Sequence, residues 1–204
     1  MHWTRDQFPH AVPKHSPPAQ AFDGVKVLEE KKNEPGFLCG TASQLLVQAI
    51  TSLGGYARRV ELRYTPDDKH AVAETWSDFY NKWIVVDADY DIFYTRNDIP
   101  LNALELHKAW VNDEINLVAV NWSKSVHNIY LLNSDEFRFT KKLLNYYSHI
   151  SYPLRNDWKS RPLPWWHPEG NHVQNSLVID VPTMTKYEDF PISTKDWQDF
   201  YRKP

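Results

Sequence analysis

The sequence predicts an α+β fold in which one helix packs on an antiparallel β-sheet. From Cys39 onward apolar residues recur at spacings of three and four, which is typical of one face of a helix: Ala42, Leu45, Leu46, Ala49, Ile50 and Leu53. Three extended segments follow, over 56–64, 70–79 and 82–88. Residues 78–81 are typical of a hairpin connection, so the second and third segments are expected to pair antiparallel.

The other elements follow in chain order. Residues 1–20 are rich in Pro and predict an extended arm instead of a helix. Residues 21–32 predict a short helix, and Gly54-Gly55 ends the helix that begins at Cys39. Beyond Pro100 the patterns predict two helices and two strands: helices over 101–110 and 139–150, and strands over 115–120 and 129–132.

Length and composition indicate one core with an extension. The chain has 204 residues, of which 42% are hydrophobic and 24% charged, so collagen, coiled coil and wholesale disorder are excluded. Nine Trp, eleven Tyr and nine Phe stand against only six Gly. Such large flat side chains suit a packed core or a ligand groove.

The charge pattern argues against nucleic acid as a partner. Lys and Arg total 23 against 26 Asp and Glu, for a formal charge of −3, and the basic residues are scattered. No apolar stretch approaches the length of a membrane span, and the start lacks the apolar run of a secretory signal. The compartment is therefore left open, with the cytoplasm favoured. The oligomeric state is not indicated.

The expected organisation is a compact core over 1–100 and an accessory extension over 101–204 that packs on it and shapes a substrate cleft. The tail is rich in Pro and Trp. Trp165 and Trp166, on a Pro-stiffened loop, are candidates for stacking on sugar faces or peptide rings. The alternative is that these two indoles fill the core beneath the loop.

Cys39 is the candidate nucleophile. It lies in the first turn of the predicted helix, where unpaired backbone N–H groups and the positive end of the helix dipole favour thiolate over thiol. As the single cysteine of the chain, it excludes an internal disulfide and Cys-rich zinc modules. The alternative is that Cys39 is a small packing residue.

His70 and Asp87 complete a candidate triad. His70 opens the second extended segment and Asp87 closes the third. With a two-residue turn at 80–81, Asp87 lies opposite Glu74, which shares a face with His70 because side chains alternate; any even-numbered loop preserves this parity. A helix packed on that face would bring Cys39 to the imidazole. The three residues can then act as nucleophile, base and orienting carboxylate.

Four blocks of sequence resemble the transglutaminase-like superfamily in its microbial form. In order they are Phe37-Leu38-Cys39-Gly40-Thr41-Ala42, Leu53-Gly54-Gly55-Tyr56-Ala57-Arg58-Arg59-Val60, His70-Ala71-Val72-Ala73-Glu74-Thr75-Trp76 and Lys82-Trp83-Ile84-Val85-Val86-Asp87-Ala88. The resemblance covers roughly residues 1–95. It implies a papain-like core with the nucleophile on the central helix. It also implies an acyl-enzyme thioester, made from an amide and passed to an amine or water by a transferase, amidase or protease.

Departures from individual relatives narrow this choice. Arylamine acetyltransferases place Arg-Gly-Gly before the nucleophile, where this chain has Gly36-Phe37-Leu38. Peptide:N-glycanases carry zinc-binding Cys pairs, and animal tissue-type transglutaminases surround the nucleophile with Gly-Gln and Trp and bind calcium. The remaining microbial group implies a small-molecule amine, a peptide or a polysaccharide as substrate. It implies no cofactor and no metal.

The oxyanion donors are left open by the sequence. The backbone N–H of Cys39 is one candidate. The candidates for a second oxyanion donor are Trp3, Asn33 and Trp76.

Two other functions stay open. One is a non-catalytic carbohydrate- or peptide-binding module on the same scaffold. The other is a glycosidase that uses Glu74, Asp89 and Asp91, which becomes the choice if Cys39 is buried and inert. Otherwise Glu74 is expected to orient the site or to pair with Arg58 or Arg59.

Overall fold

The computed structural model describes residues 2–14, 23–65, 67–114, 117–121, 143–153, 176–179, 192–194, 201 and 203–204. These residues form a mixed helical and mainly antiparallel sheet structure, so the predicted α+β class is confirmed. The helices are α1 (His2–Gln7), α2 (Gly24–Glu30), α3 (Cys39–Ser52) and α4 (Ala103–Val111), with a 3-10 turn over Tyr146–Ser148. The strands are β1 (Ala57–Arg63), β2 (Lys69–Ser77), β3 (Lys82–Val86), β4 (Ile92–Arg96), β5 (Ile99–Pro100), β6 (Val118–Asn121), β7 (His149–Pro153), β8 (Ser176–Ile179) and β9 (Ile192–Thr194).

Helix α3 begins and ends where the sequence predicts. Its first turn starts at Cys39, and every residue from Thr41 to Val47 is buried. Gly54 has φ +83°, a left-handed conformation that costs glycine little and that ends the helix. Helix α2 begins after Asp23, whose carboxylate accepts a hydrogen bond from the Lys26 backbone N–H at 3.2 Å.

The main sheet has the strand order β3-β2-β1-β7-β8-β9. Neighbouring strands are antiparallel except β8 and β9, which run parallel. A smaller sheet has the order β5-β4-β6. Because β7 pairs directly with β1, part of the chain beyond residue 100 belongs to the same sheet as the predicted core. The division into 1–100 and 101–204 stays a prediction.

The β2–β3 hairpin confirms the predicted parity. Its last pair is Ser77↔Lys82, so the connection is the four residues 78–81. The observed register differs by two residues from the predicted one. If the observed pairing is continued past its last pair, Asp87 lies opposite position 72 instead of 74. An even shift moves no side chain to the other face. His70 and Asp87 therefore lie on the same side of the sheet.

The two faces of the sheet bury two separate apolar clusters. On the face of His70, Val60, Leu62, Val72 and Val85 pack with residues of β4, α4 and the 3-10 turn. On the other face, Ala57 and Ala73 pack with the apolar side of α3. The expectation that α3 covers the face of His70 and Asp87 is therefore wrong, because that face is already covered by α4 and β4.

Two local predictions also need correction. The N-terminal stretch is not wholly extended, because α1 forms over His2–Gln7. The helix predicted over 139–150 cannot extend to its end, because β7 begins at His149, where pairing with β1 outweighs the helical spacing. The strand predicted over 129–132 lies outside the described residues, whereas 101–110 and 115–120 contain α4 and most of β6 as predicted.

In the part of the chain that the structure describes, no helix is long and apolar enough to cross a membrane. The same residues contain no cluster of three or more His, Cys, Asp or Glu side chains able to hold a metal ion.

Candidate active site

The His70–Asp87 pair is the centre of the site. His70 Nε2 lies 2.7 Å from Asp87 Oδ2, and the two side chains are only 6% and 3% exposed. Burial opposes the charged imidazole, but the charge and hydrogen bond of Asp87, aided by Cys39, raise the pKa of His70 well above its usual value. The Asp87 carboxylate therefore favours the protonated form of the imidazole.

Cys39 lies close enough to His70 for its thiol to raise the pKa of the imidazole. Its thiol contributes both a hydrogen bond and a charge interaction to the imidazole. Asp87 occupies Nε2, so Nδ1 is the ring nitrogen left for the sulfur. The thiol is partly exposed, not enclosed in the core. The structure thus brings all three predicted residues together in the order sulfur, imidazole, carboxylate.

Cys39 reaches His70 although α3 packs on the opposite face of the sheet. The β2–β3 ladder ends at Ala73↔Val86, three residues before His70 is reached along β2. Beyond that pair β3 gives way to the loop that holds Asp87. At His70, β2 is therefore paired with β1 but not with β3.

Asp87 is held rigidly by its own loop. Its Oδ1 accepts hydrogen bonds from the backbone N–H groups of Asp89 at 3.0 Å and Tyr90 at 3.1 Å, while Oδ2 is reserved for His70. An isolated bridge between Asp87 and Ile92 closes the loop through two backbone hydrogen bonds. A carboxylate with both oxygens occupied fixes the orientation of the imidazole and its tautomer.

Two tyrosine rings enclose the imidazole of His70. Tyr90 and Tyr146 each lie with their ring centroid 5.3 Å from that of His70. The Tyr146 hydroxyl donates to Asp68 Oδ1 at 2.5 Å, which anchors the ring from the start of β2. Burial, together with nearby carboxylates, raises the pKa of both phenols, so both stay neutral. The sequence analysis identified neither ring as part of the site.

The first turn of α3 leaves donors next to the sulfur. The residue before the helix, Leu38, offers no side-chain acceptor to cap it. The N–H groups of Cys39 and Gly40 have no partner within the helix, as is general for a first turn. Gly40 is also closely covered, because a Cβ there would lie 3.1 Å from Arg59 Nη2. The Arg59 guanidinium, which pairs with Glu61 at 3.2 Å, thus lies against the residue that follows the nucleophile.

Of the three side chains considered as second oxyanion donors, Trp76 is bound elsewhere, while Trp3 and Asn33 are exposed. The Trp76 indole N–H donates to Asp78 Oδ1 at 3.0 Å, and Trp76 lies six residues past His70 on β2, about 20 Å along the strand. Trp3 is 47% exposed on α1. Asn33 is exposed in the turn after α2. Trp165 and Trp166 lie outside the described residues.

The acidic residues considered for a glycosidase already have partners. Glu74 is fully buried and paired with Arg58, with Oε2 to Nη2 at 2.7 Å. Its Oε1 accepts from the Ala103 backbone N–H at 2.8 Å, so Glu74 joins β2 to α4. This confirms the expected pairing with Arg58. Asp89 and Asp91 are instead bound by histidines of the N-terminal segment, residues 2–14.

His10 is a third residue near the site, besides Tyr90 and Tyr146, that the sequence patterns do not predict. Its Nδ1 lies 2.8 Å and 2.7 Å from the two carboxylate oxygens of Asp89, two residues after Asp87. The charge of His70 acts directly on it. No local pattern connects His10 to a loop 79 residues away. The Pro-rich segment in which His10 lies was the only feature of the sequence that set this histidine apart.

Comparisons with protein-family models, with curated proteins and with solved structures found no match for this chain.

Proposed function

We propose that this protein is a thiol enzyme that acts on amide bonds through an acyl-enzyme thioester on Cys39, passing the acyl group to an amine or to water. The observation that carries the proposal is the buried His70 imidazole, hydrogen-bonded to Asp87 at one nitrogen and close enough to Cys39 for the thiol to raise its pKa. A packing cysteine needs no such base, and a structural His–Asp pair needs no thiol.

The proposed first step is attack by sulfur on the substrate carbonyl. His70 holds the thiol proton, so the Cys39 thiolate forms the C–S bond while Asp87 stabilises the imidazolium. Because Asp87 raises the pKa of His70, the imidazole is a better acceptor for the thiol proton. The amide C–N bond then breaks, and the leaving amine takes a proton from an imidazolium of the site.

The proposed oxyanion site is the first turn of α3. The uncapped N–H groups of Cys39 and Gly40 are the nearest fixed donors to a carbonyl bound at the sulfur. The helix dipole adds to their effect, because the negative oxygen develops at the positive end of α3. Side-chain donors are then not required, which agrees with the Trp76 indole N–H being bound to Asp78.

A transglutaminase-like scaffold with a papain-like core is part of the same proposal. The positions of the three residues support it. Cys39 begins the helix α3, His70 lies near the start of β2, and Asp87 directly follows β3. The amide substrate is proposed to be a peptide, an amide on a polysaccharide, or a small-molecule derivative. The exposed side of Cys39 is the direction of entry.

The experiment uses p-nitrophenyl acetate as an activated acyl donor and intact-protein mass spectrometry as the readout. The wild type is expected to gain one acetyl group, mapped by peptide digestion to Cys39, with rapid release of p-nitrophenol. Cys39→Ala is expected to gain none, and His70→Ala is expected to be slower by about a hundredfold or more. Incubation with extracts of the source organism, followed by the same mass analysis, would identify the natural acyl group.

The matched control is Ser43→Ala, one turn further along α3, which loses a hydroxyl that bonds to the backbone and not to substrate. Its acetylation rate is expected to stay within about threefold of the wild type. Acetylation of lysines at equal rates in wild type and Cys39→Ala, with no thioester, would contradict the proposed function.

A further inference from the structure

Two His–Asp pairs lie side by side after β3. Asp87 binds His70, and Asp89, two residues further on, binds His10. Tyr90 lies close enough to both carboxylates and to Cys39 for their charges to raise its pKa, after burial, which is the larger cause. The thiol, both carboxylates and this ring therefore share one neighbourhood.

His10 is positioned by backbone contacts as well as by Asp89. It forms an isolated parallel bridge with Phe37, in which the Phe37 N–H donates to Pro9 and the Ala11 N–H donates to Phe37, at 3.1 Å and 3.2 Å. Phe37 lies two residues before Cys39. The segment that carries His10 is thus paired with the segment that leads into the nucleophile.

The geometry of the His10 pair fixes its tautomer. A nitrogen within 2.8 Å of both oxygens of a carboxylate carries the hydrogen, so Nδ1 is the donor and Nε2 is the atom left to exchange protons. No described residue is hydrogen-bonded to Nε2. The His10 side chain is 46% exposed whereas Asp89 is 3% exposed, so a buried carboxylate orients a ring that solvent or substrate can reach.

We infer that His10 is a second acid–base residue, which exchanges a proton with the leaving and accepting groups while His70 stays paired with the sulfur. This inference rests on the proposed function. His10 is half exposed, and its segment is paired with Phe37, two residues before Cys39. Its free Nε2 is therefore open to a substrate bound beside the first turn of α3.

The proton balance of the cycle follows from this division. In acylation the C–S bond forms, the amide C–N bond breaks, and the leaving nitrogen takes a proton from His10 Nε2. In deacylation an amine or water gives a proton to His10 Nε2 as its nitrogen or oxygen bonds to the carbonyl carbon. The C–S bond then breaks, and the sulfur leaves as a thiolate beside the His70 imidazolium.

The two pKa shifts agree with this assignment. The hydrogen bond and charge of Asp89 raise the pKa of His10, while burial, His70 and Arg5 oppose the rise. The pKa of His70 is raised well above its usual value. Of the two imidazoles, the half-exposed His10 is the one that can exchange a proton with solvent or substrate, as a residue that cycles must.

The test is burst kinetics with p-nitrophenyl acetate in His10→Gln. The p-nitrophenolate leaves without a proton, so the burst needs only Cys39 and His70 and is expected to stay within about twofold of the wild type. Deacylation by water needs the base, so the steady-state rate is expected to fall by about a hundredfold, and acetylated Cys39 should accumulate. Added imidazole should restore part of the steady-state rate in His10→Ala.

The matched control is His2→Gln. His2 is 45% exposed and pairs with the buried Asp91 at 3.2 Å. It therefore connects the same N-terminal segment to the same loop, but it is not part of the His10–Asp89 pair. Its burst and steady-state rates are both expected to match the wild type. Equal losses in His2→Gln and His10→Gln would assign the effect to the segment and overturn the inference.

The outcomes separate this inference from the proposed function. A wild type without a burst, or a burst retained in Cys39→Ala, contradicts the thiol mechanism itself. A normal burst with an unchanged steady-state rate in His10→Gln overturns only the role of His10. A burst that falls together with the steady-state rate in His10→Gln also overturns it, because the thiol step would then depend on His10.

Discussion

The His70–Asp87 and His10–Asp89 pairs have the same chemical parts in different surroundings. Both carboxylates are 3% exposed and come from one loop, but the imidazoles are 6% and 46% exposed. His70 is fixed on a central strand between two tyrosine rings, and His10 is brought by the N-terminal segment. The element that carries each histidine, rather than the aspartate, decides whether the pair faces the thiol or the solvent.

The difference in exposure also explains the different roles proposed for the two imidazoles. The buried pair keeps its proton, because leaving either charge unpaired in the interior costs several kcal/mol, about 3 to 5 when one partner is removed. The half-exposed pair exchanges its proton with little penalty, because water solvates either state. One loop thus supports a fixed charge and a mobile proton within two residues of each other.

The largest expected effect is that of Cys39→Ala. Turnover of p-nitrophenyl acetate should fall to the uncatalysed level, because the covalent route is lost while the fold loses only one partly exposed sulfur. Melting temperature should change by no more than about 2 °C. Residual turnover above about one per cent of wild type would refute the nucleophilic role.

Neutralising each carboxylate sharpens the comparison. Asp87→Asn should lower turnover by about a hundredfold or more, because it removes the charge that stabilises a buried imidazolium. Asp89→Asn should lower it by about tenfold, because His10 can still be solvated as a cation. Steady-state rates of both variants, measured side by side, check the order. The comparison breaks down if Asp89→Asn is the more damaging change.

The features that could be predicted from the sequence depend on local patterns. Helix α3 follows from its apolar spacing, and the shared face of His70 and Asp87 follows from strand alternation, which survived a register shift of two. Both depend on neighbouring residues alone.

The part that could not be predicted is tertiary. Periodicity shows that α3 has an apolar side but not which face of the sheet it covers, and that depended on α4 and β4. The contacts of His10 with Asp89 and of Tyr146 with His70 join segments far apart in the chain. Contacts between such distant segments leave no pattern in a short stretch of sequence.

Tyr146→Phe tests how far the surroundings of His70 matter beyond its charge partners. The variant keeps the ring against the imidazole and loses only the hydrogen bond to Asp68. Turnover should fall by about threefold or less, the usual effect of one partly buried hydrogen bond. Tyr146→Ala, which removes the ring, should be clearly worse in the same assay. Equal activities for the two variants would show that the ring does not position His70.

The smallest effect concerns stability and pH. Asp89 raises the pKa of His10 in the folded protein above its unfolded value, so the pair stabilises fully below about pH 6.5 and loses this effect as pH rises through the folded pKa. Wild type should therefore melt a few degrees above His10→Gln at about pH 6, and the gap should close by about pH 9. A gap that widens with rising pH would have the wrong sign.

The most direct test of the central claim is the rate at which iodoacetamide alkylates Cys39 at neutral pH in wild type and in His70→Ala. A thiolate held by His70 and Asp87 should react at least about a hundredfold faster in the wild type, with circular dichroism showing equal folding. His10→Gln should keep the wild-type rate. Equal slow rates in wild type and His70→Ala would mean that the imidazole does not activate the sulfur, and would contradict the account.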